Sequence, residues 1–398
     1  MTRKRELILA VYTPTALLAF AQGLLLATLP LYAANFDVSY TVISLAVSAA
    51  AIGSLATDLP AGFVLHRVGL RNAMIVGTAM VSLSTLILGL PERIGILIVL
   101  RLLAGVGTTL WGLSRHAYIA QAVPRETRGR SIATFGGINR IGAFGGPVVG
   151  GIIGSRISLE ASFVIAGLMG LLALAAAIRF IPVELQLEAA PSHSKQTRWQ
   201  VARAAVRTHH RDLLAAGTAQ MFAQMIRQGR QLLIPLLGAT ELGLDAAQIG
   251  LAMTVSAVFD MSMFVPAGFL MDRFGRKAAA VPSFAIMAIG VAMLPLVSTF
   301  TGLVLAAALI GFGNGLGSGT MMTLGADLAP PGATGEFLGI WRLIGDLGQV
   351  AGPMAVGVLA SLFGLHGSAI VLAGIGLLAS LTLLFLVKET YRLEPVAV

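Results

Sequence analysis

Two stretches 206 positions apart read almost alike: Pro60-Ala61-Gly62-Phe63-Val64-Leu65-His66-Arg67-Val68-Gly69-Leu70-Arg71 and Pro266-Ala267-Gly268-Phe269-Leu270-Met271-Asp272-Arg273-Phe274-Gly275-Arg276-Lys277. Each closes an apolar run and opens a tight basic turn, in which Gly69 and Gly275 supply a positive φ. The same offset aligns Gln22-Gly23 with Gln228-Gly229, Gly105 and Gly107 with Gly311 and Gly313, and Pro124 with Pro330. It also aligns Gly129 with Gly335, and Gly142, Gly146, Pro147 and Gly151 with Gly348, Gly352, Pro353 and Gly357. One ungapped register over this distance is an internal duplication, so the two halves fold alike.

Twelve apolar segments can be drawn around these marks: 7–30, 41–65, 73–90, 95–121, 131–154, 161–181, 212–235, 247–271, 278–298, 301–326, 336–361 and 368–387. Each is long enough to cross about 30 Å of hydrocarbon as a helix, which satisfies its own backbone there. Charged residues make up 11% of the 398 and hydrophobic ones 56%, with a mean hydropathy of +0.86. A soluble globule carries about 25% charged residues, so lipid is the solvent for most of this chain.

Lys and Arg orient the spans. With the N-terminus inside, 19 of the 27 fall on the cytoplasmic side, two (Arg93 and Arg156) fall outside, and the rest lie within spans. That bias places both termini in the cytoplasm of a multi-pass protein of the cell, or inner, membrane. The net charge of +9 sits in these short loops, so it reports topology and not nucleic-acid binding. Met1-Thr2-Arg3-Lys4-Arg5 reads as a cytoplasmic tail on a retained first helix. The absence of cysteine excludes disulfides and thiolate metal sites.

Six spans per half is an even number, so both halves have the same orientation and are related by an axis along the membrane normal. The expected organisation is an N-terminal bundle at 1–181, a cytoplasmic linker at 182–211 and a C-terminal bundle at 212–398. Within the linker, Trp199, Ala202, Ala205 and Val206 recur at helical spacing among Arg198, Arg203 and Arg207. An interfacial helix and a plain solvated linker both fit. His193, His209 and His210 have no further ligands nearby, so no metal is expected.

Gly268 to Lys277 is similar to the loop signature of the major facilitator superfamily. Gly142-Ala143-Phe144-Gly145-Gly146-Pro147-Val148-Val149-Gly150-Gly151 and Arg101-Leu102-Leu103-Ala104-Gly105-Val106-Gly107 resemble the fifth- and fourth-helix signatures of its 12-helix drug–proton antiporters. Leu29-Pro30-Leu31-Tyr32 fits the end of the first helix. The chain departs from the pattern at His66 and Leu70, where the family has an acid and a base. It also has Gln22 where several multidrug members carry a carboxylate. The resemblance implies an all-α membrane fold of two pseudo-symmetric six-helix halves, without cofactor, moving a small molecule by alternating access as a monomer.

In the family, loop charges latch helix ends together when the protein faces outward. Here Asp272 and Arg273 are present, and Asp327 at the inner end of the tenth span is the expected partner of Arg273. The first half has Arg67, with His66 and Gln121 at the acid positions; its latch is weakened, or rebuilt through His66, Arg115 or His116. Gly142, Gly146, Pro147, Gly150 and Gly151 make a slim, bent helix face, read either as ordinary tight packing or as a seam between the halves. Gly311 to Gly319 lacks the strand–turn–helix setting of a nucleotide loop and is expected to be a slim helix.

Charges inside the spans are the best functional pointers, because each is costly unless paired or hydrated. At about 1.5 Å per residue, Asp58 and Arg342 lie about 10 Å from the cytoplasmic end, and Arg140 and Asp260 about 13–16 Å in. Family neighbourhoods predict the cross-half pairs Asp58–Arg342 and Arg140–Asp260. Asp346 is then the acid left over, and desolvation favours its protonated form, as a proton carrier requires. Asp346 is the first choice for the coupling site, followed by Asp58 and Asp260; purely structural pairing of all three is the alternative.

The cavity helices by family analogy, 1, 4, 7 and 10, carry Gln22, Arg101, Trp111, Gln220, Gln224, Arg227, Gln228, Arg230, Gln231, Asn314, Met321 and Met322. Arg101 also fits a bundle strut or a relay neighbour, and Arg227 or Arg230 a snorkelling side chain. Three arginines repel a cationic drug and suit a neutral or anionic amphiphile. The leading expectation is a proton-coupled exporter of amphipathic small molecules. An organic-anion carrier, or a lipid flippase or importer of the same fold, is the alternative. No nucleophile–base constellation suggests an enzyme.

Overall fold

The computed structural model describes residues 8–123, 125–182, 210–329 and 334–390, and every regular element among them is helical. Nine stretches of the described residues are long and apolar enough to cross a membrane. The last, Phe337–Phe385, is two helices, because Gly364 (φ 73°, ψ 172°) turns the chain inside Thr334–Phe385. Arg125–Arg156 and His210–Thr240 carry internal charge and fall outside that set, yet run as helices of 32 and 31 residues.

The twelve expected spans are thus twelve helices. They are α1 (Ile8–Ala34), α2 (Tyr40–Val68), α3 (Leu70–Leu86), α4 (Ile94–Ala122), α5 (Arg125–Arg156), α6 (Leu159–Phe180), α7 (His210–Thr240), α8 (Ala246–Phe274), α9 (Arg276–Met293), α10 (Phe300–Asp327), α11 (334–363) and α12 (365–385). Large apolar side chains lie bare along them, including Leu296, Val265 and Phe385. Water does not tolerate that much exposed apolar surface, whereas lipid does.

Local chemistry sets the ends. Ser158 accepts the N–H of Ala161 at the start of α6, and Thr299 that of Gly302 at the start of α10. Asp245 and Gln248 form a reciprocal capping box ahead of α8, at 2.8 and 3.1 Å. Gly69 (φ 86°, ψ 155°) and Gly275 (φ 98°, ψ 169°) occupy a backbone region open essentially to glycine alone, as the repeated turn requires.

One expectation is corrected. The Gly311–Gly319 run is not one slim helix: α10 stops at Leu316 and restarts at Thr320, with Gly319 at φ 77° between the two pieces. Closely spaced glycines remove the steric cost of the left-handed turn and the side chains that would hold a helix straight. α8 also breaks, at Met263, but there the backbone stays right-handed (φ −87°, ψ −3°), three residues before Pro266.

The chain divides into two compact units, Met1–Ala190 with Pro235–Thr254, and Pro191–Ile234 with Val255–Val398. In the first, α1 packs on α5 and α6, α2 on α4, and α3 on α4 and α6. The end of α7 and the start of α8 join this unit through α5, although the sequence assigns them to the second bundle. A Cβ on Gly151 would lie 2.2 Å from the Ala246 carbonyl, and one on Gly250 2.3 Å from that of Pro147. In the second unit, α9 packs on α10 and on the α11–α12 run. The duplication is visible atom by atom: a Cβ on Gly105 would meet the Ala50 carbonyl at 2.0 Å, and one on Gly311 the Ser256 carbonyl, 206 residues on, also at 2.0 Å.

Candidate functional site

The loop latch of the second unit is built from α8, α9, α10 and the segment after α12. Asp327 Oδ2 accepts from Arg276 Nε at 2.9 Å and from Thr390 Oγ1 at 2.9 Å. Arg276 Nη1 also lies 3.6 Å from Asp272 Oδ1. The Glu389 carboxylate accepts both backbone N–H groups that open α9, from Arg276 and Lys277, each at 2.9 Å. Arg273, the expected partner of Asp327, instead lays its guanidinium over Phe269 and Phe274, 5.7 and 5.6 Å from the ring centres. The reversal at Gly275 is the reason: it turns the residue after the glycine, not the one before Phe274, toward the end of α10.

Lys277 Nζ donates to the carbonyls of Leu384 and Val387 at 2.6 and 2.8 Å, tying α9 to the end of α12. In the first unit Arg71 donates to Ile181 and Ile178 at 3.1 and 3.2 Å. Arg67 is exposed there. The side chains of His66 and Gln121, and the linker segment 183–209, lie outside the described residues. Arg115 is buried over the Trp111 ring at 5.8 Å, and His116 Nδ1 lies 2.7 Å from the Gly112 carbonyl.

The intramembrane acids have local partners. Thr109 Oγ1 donates to Asp58 Oδ1 at 3.3 Å. Asp346, expected to lack a dedicated cation, has one: Arg342 Nε lies 3.5 Å from its Oδ2, and Gln349 Nε2 donates to Oδ1. All three sit on one face of α11 at spacings of three and four, where a helix brings side chains together. Arg140 and Asp260 are both half-buried.

The cavity arginines are built into the second unit. Arg227 Nη2 donates to the Gly317 carbonyl at 2.9 Å, in the break of α10, and its guanidinium covers the Phe284 ring at 5.0 Å. Arg230 Nη1 donates to Ser256 Oγ at 3.0 Å. Asn314 Oδ1 is buried with no hydrogen-bond partner among the described residues, as is Arg101 Nε. Gln224 packs its chain against Gly348 of α11, and Gln22 is exposed. Trp111, expected in the cavity, is packed instead in a core with Met74, Val81 and Tyr118.

The helix-5 glycines divide between two neighbours, α1 and α8. Gly142, Gly146 and Gly150 face α1, where added Cβ atoms would lie 2.4, 2.4 and 2.3 Å from Ala19, Gly23 and Leu24. Gly151 and the Pro147 carbonyl meet the start of α8, as does the Val148 N–H, which donates to Thr254 Oγ1 at 3.1 Å. Spacing by four keeps 142, 146 and 150 on one stripe, and 147 and 151 on the next. Sequence reasoning missed Glu389, Thr390, Ser256, Gly317 and Gln349. For the first two, the polar run Lys388-Glu389-Thr390 directly after an apolar span was the available signal.

The profile of the Major Facilitator Superfamily matches residues 14–228 and 216–397. The MFS-type transporter YhjO of Bacillus subtilis is 22% identical over 307 residues, 77% of this chain and 74% of that one. Multidrug resistance protein 2 of the same organism is 26% identical over 180 residues, 44% and 45% of the two chains. Among solved structures, the nucleoside transporter NupG superposes with a TM-score of 0.77 at 13% identity, covering 96% and 98% of the two chains. A D-xylose–proton symporter superposes with a TM-score of 0.75 at 18% identity, again covering 96% and 98%. Duplicated halves, twelve helices and the two glycine-only turns agree with these matches, and the chain belongs to the major facilitator superfamily, a multi-pass membrane transporter by family.

Proposed function

We propose that this chain is a proton-coupled exporter of amphipathic small molecules, monomeric in the cell (inner) membrane with both termini in the cytoplasm. The observation that carries the reading is Asp346, a largely buried carboxylate held by Arg342 and Gln349 on one helix. Its cation is detachable. If Arg342 swings to Asp58 when the halves rock, Asp346 loses its counter-charge and takes up a proton; when Arg342 returns, the proton leaves on the other side. Support for export comes from the fifth-helix glycine–proline pattern and from the similarity to Multidrug resistance protein 2. Asp346→Asn in proteoliposomes is expected to abolish proton-driven flux and spare counterflow; normal coupling in that variant overturns the assignment.

A second reading, an organic-anion carrier or lipid flippase, is favoured by Arg101, Arg227 and Arg230 on the cavity helices. The direction of proton movement relative to substrate in the same vesicles separates the two.

A further inference from the structure

The duplication fails along one face of α7. Gln220, Gln224 and Gln231 stand 206 positions after Pro14, Leu18 and Leu25, which are buried residues of α1. On α11, Trp341 stands where the first half has Phe135. Hydrocarbon therefore serves the scaffold at these positions. Amides and an indole N–H in its place are costly inside a span unless something pairs with them.

Two of these groups lack a pair within the protein. Gln220 is 6% exposed, and its Oε1 is buried with no hydrogen-bond partner among the described residues. Trp341 is 4% exposed, and its Nε1 is likewise buried and without a partner among them. α11 sets the two one turn apart. A Cβ on Gly345 would fall 2.7 Å from Gln220 Nε2, and Trp341 precedes Gly345 by four positions on the same side of that helix. The indole is held in place: it stacks on Phe337 at 6.5 Å between ring centres, and its Nε1 would meet a Cβ on Gly325 of α10 at 2.6 Å. Gln224, half-buried, packs on Gly348 further along α11.

We propose that Gln220 Oε1 and Trp341 Nε1 hold the head of the transported amphiphile, and that this head is neutral and bears hydroxyl or carboxamide groups. The indole only donates and the amide oxygen only accepts. A ligand that completes both must accept from one and donate to the other. A hydroxyl or a carboxamide has both capacities. An ionised carboxylate accepts and does not donate, and a quaternary ammonium does neither. A site built to hydrogen-bond such a head rejects analogues that leave its own polar atoms unpaired.

This assignment rests on reading the chain as a carrier of amphipathic molecules. Its test measures binding without flux, so the fate of proton coupling in Asp346→Asn bears on that reading alone. Purified protein in phosphatidylcholine nanodiscs is probed with monodecanoylglycerol, N-decanoylethanolamine, decanoate, decyltrimethylammonium and glycerol. The two neutral amphiphiles are expected to raise the apparent Tm, and the two ions and free glycerol not to. Gln220→Leu removes the amide, and Trp341→Phe removes the indole N–H while restoring the residue type of the first half. Each is expected to weaken monodecanoylglycerol binding about fivefold. The Tm of the ligand-free protein should stay the same or rise in both, because each change removes an orphaned polar group. A merely structural side chain would do the reverse, lowering the ligand-free Tm and sparing affinity. No shift from either neutral amphiphile, an equal shift from decanoate or from glycerol alone, or undiminished binding in either variant overturns the proposal.

Discussion

Arg71 and Lys277 do the same work 206 residues apart. Arg71 donates to the carbonyls of Ile178 and Ile181, and Lys277 to those of Leu384 and Val387, which stand 206 positions beyond Ile178 and Ile181. In each unit the cation that follows the glycine turn closes the end of the last helix of its half, satisfying carbonyls that a helix leaves open. The duplication therefore extends to single hydrogen bonds made with different side chains.

Arg71→Ala and Lys277→Ala should each lower the apparent Tm by a few degrees, at about 1 kcal/mol for each set of lost bonds. The two sites share no partner, so the double variant should show the sum of the single effects. Scanning fluorimetry of purified protein reads all three, and strong coupling between the sites would contradict their independence.

The two turn glycines should differ. At Gly69 a Cβ meets nothing within 4 Å, so Gly69→Ala costs only backbone strain, about 1–3 kcal/mol. At Gly275 the same atom also lies 2.6 Å from the Glu389 carboxylate, so Gly275→Ala should be the more damaging. Combining Gly275→Ala with Glu389→Ala should recover part of that difference in Tm.

Arg276→Ala should loosen the latch more than Arg273→Ala. Arg276 holds Asp327 and Asp272, whereas Arg273 lies exposed over two rings. Asp327→Asn should resemble Arg276→Ala, and both should speed proteolysis of the segment after α12. The ion pair is partly solvated and is worth about 1 kcal/mol or less, so a loss of yield is not expected.

Gly146→Ala should reduce the yield of monodisperse protein sharply, because its Cβ would sit 2.4 Å from the Cα of Gly23, where neither backbone can give way. Gly145→Ala meets only the edge of the Phe20 ring at 3.2 Å and should be mild. Gly137→Ala meets nothing within 4 Å and should be neutral or slightly stabilising. Fluorescence-detected size-exclusion chromatography ranks the three.

The sequence by itself determined the helices, their duplication and the two glycine turns. These are local properties: a run of apolar residues long enough to cross lipid must be helical, and a backbone at φ 86° or 98° must be glycine. What it did not reveal were partners. Arg273 and Arg276 are equally cationic and three positions apart; only the packing of the helices decides that Arg276 is the one to meet Asp327. Arg342 could be assigned to Asp58 by family neighbourhood, yet its own helix sets it beside Asp346. The helix-5 glycines announce close packing but not against which helix, and nothing local marks Glu389 as the cap of α9, 113 positions away from Arg276. Such choices depend on which faces meet, and faces separated by a hundred residues are brought together only when the helices pack.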